Sequence, residues 1–513
     1  MRTLRRISQF AVFGLFVFLF LNTEYKDNDV LEYAVNIFLR LDPLVAGAAA
    51  LAGRALITLV WPALIVVGAT VLLGRFFCGW ACPLGATLDF MSATLFRKLR
   101  RGKAVPESWR MGKYLVLAFL AVSSLFTLQL VFLFDPISII IRSFAVAVYP
   151  AINLAANSFF GALYGTPADR FSEPVYGVLK DNLLAFEQPY FRMAGLVGSV
   201  FVGIIALEYF QRRFWCRNLC PLGAMLGLLG RAGIVKRRVS EPDCISCGVC
   251  ERRCRMGAIK EDFIAAGRSE CIECMDCKAD CPESAISFTG SVSSKGAPLD
   301  ISKRGVIYSV ALGIAAAPVF KAEAHVKAPD PSLVRPPGAL PEEEFLARCT
   351  RCGECMRVCI ANGLQPSMFE AGLAGLWSPV LVPRIGYCEY NCTLCGQVCP
   401  TGAIKRLKLD EKKKTKLGLA EVDRSHCLPW KGDSECIVCE EHCPTADKAI
   451  KLRDEDVLTM TGEVVKLKRP YVDEELCVGC GICETKCPMT GLAAIRVTSR
   501  GESRAGGPDF LYP

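Results

Sequence analysis

Long uncharged runs dominate the first half of the chain. Four of them are candidates for membrane helices: Ile7–Thr23, Ala55–Leu73, Tyr114–Phe134 and Met193–Leu207. About 20 apolar residues are needed to cross a bilayer, so these runs predict four spanning helices, the last extended by its apolar flanks. The apolar stretch Pro136–Phe160, interrupted by Arg142, is predicted to lie in the outer interface or to re-enter the membrane.

The positive charges orient this membrane domain. Segments 1–6, 74–113 and 208–243 carry 18 Lys and Arg residues, whereas segments 24–54 and 135–192 carry 7 over a similar length. Basic residues are retained on the cytoplasmic side, so the first set is predicted to be cytoplasmic. The net charge of +9 comes mainly from residues beside apolar runs, and therefore indicates topology rather than a nucleic-acid partner.

The membrane domain contains an internal repeat. Phe76–Ala86 reads FFCGWACPLGA and Phe214–Ala224 reads FWCRNLCPLGA, each behind a helix that descends to the cytoplasmic side. Upstream, Asp42-Pro and Asp135-Pro also correspond, and both aspartates are expected to be helix N-caps rather than proton acceptors for quinol. Repeats of this kind place a shared site between the halves, here Cys78, Cys82, Cys216 and Cys220.

Those four thiols admit three interpretations from sequence: a metal or small iron–sulfur centre, redox-active dithiols, or packing residues at a tight turn. The sequence does not choose among them.

The pattern changes after residue 243, where cysteines recur with the spacing of tetranuclear iron–sulfur ligands. Six quartets use 24 of the 28 cysteines. In two-cluster ferredoxins the fourth cysteine of a loop ligates the neighbouring cluster. Crossed pairing predicts six [4Fe–4S] ligand sets: Cys244, Cys247, Cys250 with Cys281; Cys271, Cys274, Cys277 with Cys254; Cys349, Cys352, Cys355 with Cys399; Cys388, Cys392, Cys395 with Cys359; Cys427, Cys436, Cys439 with Cys487; and Cys477, Cys480, Cys483 with Cys443.

Three details of these loops stand out. Arg255 occupies the position after the fourth cysteine where proline is usual, which leaves the local turn less defined. Cys427 precedes Cys436 by nine positions, and His426 is the alternative ligand. The basic run Lys405–Lys416 is predicted to be a solvated insertion, with a docking surface for an acidic redox partner as the alternative.

The sequence contains no binding motif for haem, flavin or a dinucleotide. The chain has three histidines and no CxxCH, which excludes attached c-type haem, and no flavin or dinucleotide motif is present.

The fold class that follows is an all-α membrane domain joined to α+β bacterial-ferredoxin-like modules with two and four [4Fe–4S] clusters. The membrane domain has four spanning helices, or five if the 15-residue core Val306–Phe320 also crosses. The predicted domains are 1–243, a membrane domain; 244–300, a two-cluster module; 301–340, a connecting segment; 341–500, a four-cluster domain; and 501–513, a disordered tail.

The connecting segment bears on localisation. Ser302-Lys303-Arg304 ahead of an alanine-rich run is similar to a twin-arginine export signal, with lysine in place of the first arginine. Ala328–Pro341 is rich in proline and predicts an extended linker.

Together, these motifs resemble a known pair of subunits. Residues 1–300, with paired CxxxCP motifs and a two-cluster module, resemble NapH-type membrane ferredoxins and the membrane part of NosR. Residues 301–500 look like NapG-type four-cluster ferredoxins, with Ile360 after Cys359 and the Lys-Arg export motif as departures.

The resemblance implies a quinol dehydrogenase in the bacterial inner membrane, with menaquinol as the expected quinol. Electrons would pass from the membrane quinol pool to a periplasmic cytochrome c or reductase. The N-terminus and the first module would be cytoplasmic and the four-cluster domain periplasmic. An accessory electron donor for a metalloenzyme and a cytoplasmic ferredoxin hub are the alternatives.

Overall fold

The structure, a computed structural model, describes residues 2–25, 29–99, 105–167, 169–259, 263–290, 302–326, 330–458 and 464–505. The chain divides into two compact units, each assembled from separate stretches. Unit 1 comprises Met1–Asn22, Val35–Phe144 and Gly195–Pro318, and unit 2 comprises Thr23–Ala34, Ala145–Ala194 and Val319–Pro513. The domain boundaries drawn from sequence remain a prediction.

Unit 1 is mainly helical. Its helices are Arg2–Asn22, Ile37–Arg40, Pro43–Gly53, Ala63–Leu73, Phe76–Trp80, Pro83–Ala93, Phe96–Leu99, Gly112–Leu125, Pro136–Ser143, Ala194–Ala206, Phe214–Asn218, Pro221–Leu229, Val249–Arg253 and Asp276–Ala279, followed by Lys303–Val326, which continues into unit 2. One small antiparallel sheet pairs Val235–Val239 with Ile286–Gly290 and closes the two-cluster module.

Within the described part of the chain, three helices are long and apolar enough to cross a membrane: Arg2–Asn22, Pro136–Leu163 and Lys303–Lys321. The stretch predicted to be interfacial or re-entrant is thus one continuous helical segment, with a π-helical turn at Phe144–Val148. The export-like segment also forms a helix of sufficient length.

Two predicted spans are interrupted in the structure. The run Ala55–Leu73 contains a short 3₁₀ turn, and its α-helix begins at Ala63, behind Pro62. The run Tyr114–Phe134 ends its α-helix at Leu125, where Thr127 adopts a left-handed backbone with φ of 61°. Apolar composition alone does not reveal such breaks. Four spanning helices therefore remain a prediction.

Aspartate N-caps start two corresponding helices of the repeat. Asp42 Oδ1 accepts hydrogen bonds from the amides of Leu44 (2.8 Å) and Val45 (3.2 Å). Asp135 Oδ2 accepts from Ser138 N at 2.6 Å. A proline follows each aspartate in the first turn, which suits the geometry of a helix start.

Unit 2 contains short elements around cysteine loops. Its further helices are Tyr149–Leu163, Asp169–Asn182, Glu342–Arg348, Glu354–Arg357, Leu394–Val398, Leu409–Lys414, Leu428–Lys431, Val438–Glu441 and Ile482–Lys486. Antiparallel pairs join Leu364–Pro366 to Pro379–Leu381, Leu419–Val422 to Ile495–Thr498, and Ile450–Leu458 to Val464–Val472.

The proline-rich segment is more ordered than an extended linker. Val334 and Arg335 are buried, and the Arg335 guanidinium donates to Pro379 O (2.7 Å), Ser378 Oγ (2.9 Å) and Glu342. Residues 328 and 329 of the predicted linker lie outside the described residues. Of the predicted disordered tail, Ser503–Ala505 form a 3₁₀ turn, and residues 506–513 lie outside the described part.

Candidate metal centres

The cysteine loops share a local geometry set by their sequence. In four of the six, the third cysteine lies in the first turn of a short helix, and the residue before the helix has a positive φ. These residues are Gly248, Met275, Gly353 and Gly481. A left-handed residue turns the chain sharply, so the second and third thiols can face the same point. Glycine adopts this backbone without strain, which explains why it recurs in the motif.

The two loops with irregular spacing are built differently. Before the helices that carry Cys395 and Cys439, the residues Thr393 and Ile437 have φ near −120°. The extra residues between the first and second cysteines therefore take over part of the turn. In the longer loop, Trp430 Nε1 donates to Pro470 O at 3.3 Å, and the Arg424 and Arg469 guanidinium groups lie over its ring.

Four cavities are each lined by one crossed cysteine quartet. The cavities are lined respectively by Cys244, Cys247, Cys250 and Cys281; by Cys359, Cys388, Cys392 and Cys395; by Cys427, Cys436, Cys439 and Cys487; and by Cys443, Cys477, Cys480 and Cys483. In every case the fourth thiol comes from the partner loop. Cys427, and not His426, lines the third cavity.

The other two quartets are also brought together. Cys254 packs with Cys271 and Cys274 on a small core of Met256, Ala258 and Ile272, and it lies near Cys277 across a second core. Cys399 lies close enough to Cys349 and Cys355 to interact with both thiols electrostatically. The structure therefore juxtaposes all six sets of thiols expected from sequence.

Backbone amides point at several of the cysteine sulfurs. Ala258 N donates to Cys254 Sγ at 3.2 Å, and Ile404 N and Ala494 N donate to Cys399 and Cys487 Sγ at 3.4 Å. Such N–H···S bonds stabilise thiolates and tune cluster potentials.

Burial opposes the thiolate form in the protein alone. Burial raises the pKa of Cys349 to about 11, and burial together with the neighbouring Cys427 and Cys436 raises that of Cys439 to about 12. Iron binding would have to compensate this cost, because thiolates are the ligands of iron.

The four thiols of the repeat occupy equivalent places. Cys82 and Cys220 precede the helices Pro83–Ala93 and Pro221–Leu229, and their Sγ atoms accept from Gly85 N (3.4 Å) and Gly223 N (3.3 Å). Cys78 and Cys216 pack on the same core of Met256, Ala258 and Ile272 as Cys254, Cys271 and Cys274. The repeat therefore adjoins the two-cluster module directly.

Arg255 explains the missing proline. It is buried, with Nε 2.6 Å from Asp276 Oδ2 and Nη1 2.8 Å from Asp89 Oδ1. The sequence predicted a less defined turn here; the structure shows a side chain that joins the module to the repeat. Asp89 also binds Arg213, whose charge together with that of Arg255 outweighs burial and keeps the pKa of Asp89 low.

Sequence reasoning missed a further pair of residues, Arg75 and Arg213. Each lies three positions before the first cysteine of its repeat, so extending the comparison of the repeats by one residue would have found them. Both are buried beside the four thiols.

The basic run Lys405–Lys416 is only partly a solvated insertion. Lys412 is buried, and its Nζ donates to Glu389 O (2.6 Å) and Tyr390 O (2.8 Å), beside the Cys388 loop. This lysine therefore supports a cysteine loop, and the docking surface remains a prediction for its neighbours.

The quartets follow one another in a definite order within each unit. In unit 1 the set containing Cys271 adjoins the repeat thiols on one side and, across a core shared with Cys250, the set containing Cys244 on the other. In unit 2, Cys355 lies near Cys395, Cys388 N donates to Cys480 O at 2.8 Å, and Cys483 lies near Cys439. The order there runs from the Cys349 set to the Cys427 set.

Comparison with protein families supports iron–sulfur binding. One family model, described as a 4Fe-4S binding domain, matches residues 55–103 and 193–240, the two halves of the repeat. A second model with the same description matches residues 469–494, which include the Cys477 loop.

Several curated proteins are similar over part of the chain. The methylamine utilization ferredoxin-type protein MauM of Methylorubrum extorquens is 42% identical over 171 residues, which cover 33% of this chain and 73% of that protein. MauM of Paracoccus denitrificans is 36% identical over 204 residues, covering 39% and 86% respectively. The ferredoxin-type protein NapG of Escherichia coli is 37% identical over 158 residues, covering 30% and 66%. The resemblance of the membrane part to NapH-type proteins remains a prediction.

Proposed function

Because this chain belongs to the family of ferredoxin-type proteins that includes MauM, we propose that it is a membrane-anchored iron–sulfur protein that oxidises quinol. Six [4Fe–4S] clusters and menaquinol as the reductant are parts of this proposal. A periplasmic cytochrome c or reductase is the acceptor, and the chain itself needs no terminal reductase site.

The observation that carries the proposal is the crossing of the thiol quartets in four separate cavities. Each cavity is lined by three thiols of one loop and one of its partner, together with apolar side chains. The 24 predicted cysteines would hold the clusters, and bound clusters would supply one-electron transfer. The chain's contribution is to space the sites, exclude water and donate N–H bonds to the sulfurs.

Contacts inside each unit support the proposed topology. In unit 1 the N-terminal Arg2 and Arg5 pair with Asp280 and Asp276 of the two-cluster module. The start of the first apolar helix and this module therefore share one side of the membrane, which the charge distribution makes the cytoplasm.

In unit 2 the loop after that helix packs on the four-cluster domain. Glu24 pairs with Arg357 at 3.0 Å, and Asp29 accepts hydrogen bonds from Thr393 N (2.6 Å) and Thr393 Oγ1 (2.7 Å). Tyr190 lies in segment 135–192, the second of the two segments with few basic residues. Its carbonyl oxygen accepts a hydrogen bond from Asn362 Nδ2 at 2.7 Å. If the helix Arg2–Asn22 crosses the membrane, the four-cluster domain is periplasmic, and the helix Lys303–Lys321 crosses as well.

The order of the sites then suggests a direction of electron flow. Electrons from quinol enter at the membrane repeat, whose thiols share a core with the Cys271 set. On the periplasmic side, the Cys349 and Cys388 sets adjoin the loops that follow the membrane helices, and the Cys427 set lies at the other end of the series. The partner protein would dock near the Cys427 loop.

The experiment is reduction of the anaerobically purified full-length protein by a menaquinol analogue, followed by visible and EPR spectroscopy. Reduction that is blocked by quinol-site inhibitors is the expected result. Clusters that dithionite reduces and the quinol analogue does not would overturn the dehydrogenase and favour an accessory electron donor. A reporter fused to the C-terminus tests the topology, since activity only of a cytoplasmic reporter would favour the ferredoxin hub.

A further inference from the structure

The four thiols of the repeat form a site that neither half can complete. Each matched stretch of the repeat contains two cysteines, Cys78 with Cys82 and Cys216 with Cys220. Cys78 and Cys216 pack on one core, and electrostatic interactions link Cys82 to both of them and Cys220 to all three others, so the four thiols lie near one another. All four are free thiols.

Two arginines reach across this site from opposite halves. Arg213 of the second half donates through Nη1 to Cys78 O at 2.9 Å, and its Nη2 lies against Gly85 of the first half. Arg75 of the first half lies against Gly223 of the second, where an added Cβ would be 2.7 Å from Nη2 and 3.5 Å from Cys220 Sγ. The absence of a side chain at the two glycines leaves room for the arginines beside the cysteine loops.

Arg75 has unused donors at this point. It is 1% exposed; Nη1 donates to Ser269 O at 2.5 Å and lies 3.7 Å from Glu270 Oε2, while Nε and Nη2 are buried without a hydrogen-bond partner. Glu270 offsets the charge of the guanidinium, but the two buried N–H groups still lack an acceptor, which is costly. The nearby sulfurs are the natural acceptors once they are thiolates. Packing residues or a neutral disulfide would leave these donors unused.

The N-termini of two helices also favour the thiolate form of these cysteines. Cys82 and Cys220 occupy the N-caps of helices of 11 and 9 residues, and their sulfurs accept amide hydrogen bonds. The positive ends of these helices favour negative charge on the sulfurs. Two helix N-termini and two arginines, each of which also pairs with a carboxylate, thus adjoin the four thiols.

We propose that Cys78, Cys82, Cys216 and Cys220 bind one additional iron–sulfur cluster, shared by the two halves and flanked by Arg75 and Arg213. Iron–sulfur chemistry fits better than zinc because two of the thiols, Cys78 and Cys216, share a core with Cys254, Cys271 and Cys274, next to which a redox-inactive ion would serve no purpose.

The binding itself is independent of the reductant; only the role of the cluster as first electron acceptor rests on the proposed function. The test uses the full-length protein, purified anaerobically, with iron, sulfide and zinc measured per chain. The variants are Cys78→Ser/Cys82→Ser, Cys216→Ser/Cys220→Ser and the quadruple variant.

A shared cluster predicts that each double variant loses about two to four iron atoms per chain, and that the quadruple variant loses no more. The EPR signals of dithionite-reduced ferredoxin clusters should persist and show that the protein is folded. Additive losses would mean separate centres in each half. Unchanged iron, or zinc in place of iron, would overturn the proposal.

The arginines provide a second measurement that does not depend on assembly. Arg75→Gln should retain the iron and lower the midpoint potential of the additional cluster, because the reduced form loses a nearby positive charge, whereas Arg75→Lys should restore part of the potential. The exposed Arg6→Gln is the matched control. An unchanged potential in Arg75→Gln would contradict the role assigned to Arg75, whatever the outcome with quinol.

Discussion

Arg255 Nη1 lies 2.8 Å from Asp89 Oδ1, which connects the first ferredoxin loop to the membrane repeat. The same guanidinium binds Asp276 of the second loop, so one residue holds three segments together. Replacement by the proline that is usual in ferredoxins should preserve Cys254 and its cluster but remove this link. Breaking a buried ion pair typically costs about 3–5 kcal/mol.

Hydrogen exchange of the full-length Arg255→Pro variant tests this link, and faster exchange in the N-terminal turn and in Val235–Val239 is expected. Arg253→Ala is the matched control. Arg253 is 60% exposed and its Asp280 pair spans 3.5 Å, so its removal should have little effect. Equal exchange in both variants would contradict the role of Arg255.

Cys427, rather than His426, should be required for the cluster at the end of the series where the partner protein is proposed to dock. Cys427 lines the cavity with Cys436, Cys439 and Cys487, and His426 does not. Cys427→Ser should therefore lose up to about four iron atoms per chain, and His426→Ala should lose none. Iron analysis of the two purified variants distinguishes the ligands, and the reverse result would assign the site to the histidine.

Gly386 allows two cysteine loops to approach closely. A Cβ at this position would overlap Ala361 O and lie 2.8 Å from Gly363 N. Gly386→Ala should push the Cys388 loop away from Cys359 and reduce the iron content by up to about four atoms per chain. Gly161→Ala, where nothing lies within 4 Å of the added methyl group, is the control. Full iron content in Gly386→Ala would show that the loops can adjust.

The Asp42–Asp135 pair should tolerate an amide but not an alanine. Both carboxyl groups are fully buried and close enough to interact, which favours one proton shared between them. Asp135→Asn can still accept from Ser138 N and donate to Asp42, so thermal stability in detergent should hold. Asp135→Ala removes the cap and isolates a buried carboxylate, at a cost of about 1–3 kcal/mol. Equal loss in both variants would argue against the shared proton.

Glu342 should make the four-cluster domain sensitive to acid. Burial raises its pKa, but the charges of Arg335 and Arg504 outweigh that effect and hold the pKa at about 2. A lowered pKa means that the stabilisation is complete above the unfolded value, near 4.5, and is lost as the pH falls towards 2.

Glu342→Gln should therefore destabilise the domain by about 1–3 kcal/mol at neutral pH, because the Arg335 hydrogen bonds weaken. The difference from wild type should shrink as the pH falls below about 4. Urea-induced loss of visible cluster absorbance measures both effects, and a difference that does not change with pH would rule out the ion pair as its source.

The sequence alone determined the cysteine quartets and their crossed partners. Ligand spacing in a short loop is a local property, and the bonding requirements of a tetranuclear cluster restrict it strongly. The same reason applies to the repeat around Cys78 and Cys216 and to the biased distribution of basic residues. Both can be recognised from sequence because each is a pattern of consecutive residues.

The tertiary structure decided what depends on contacts between distant segments. The burial of Lys412, the crossing of Arg75 and Arg213, and the partners of Arg255 follow from neighbours far away in sequence. Hydrophobic patterns record whether a residue avoids water, but not which residue it meets. An arginine in place of proline therefore looked like a weakened turn until Asp89 and Asp276 were found around it.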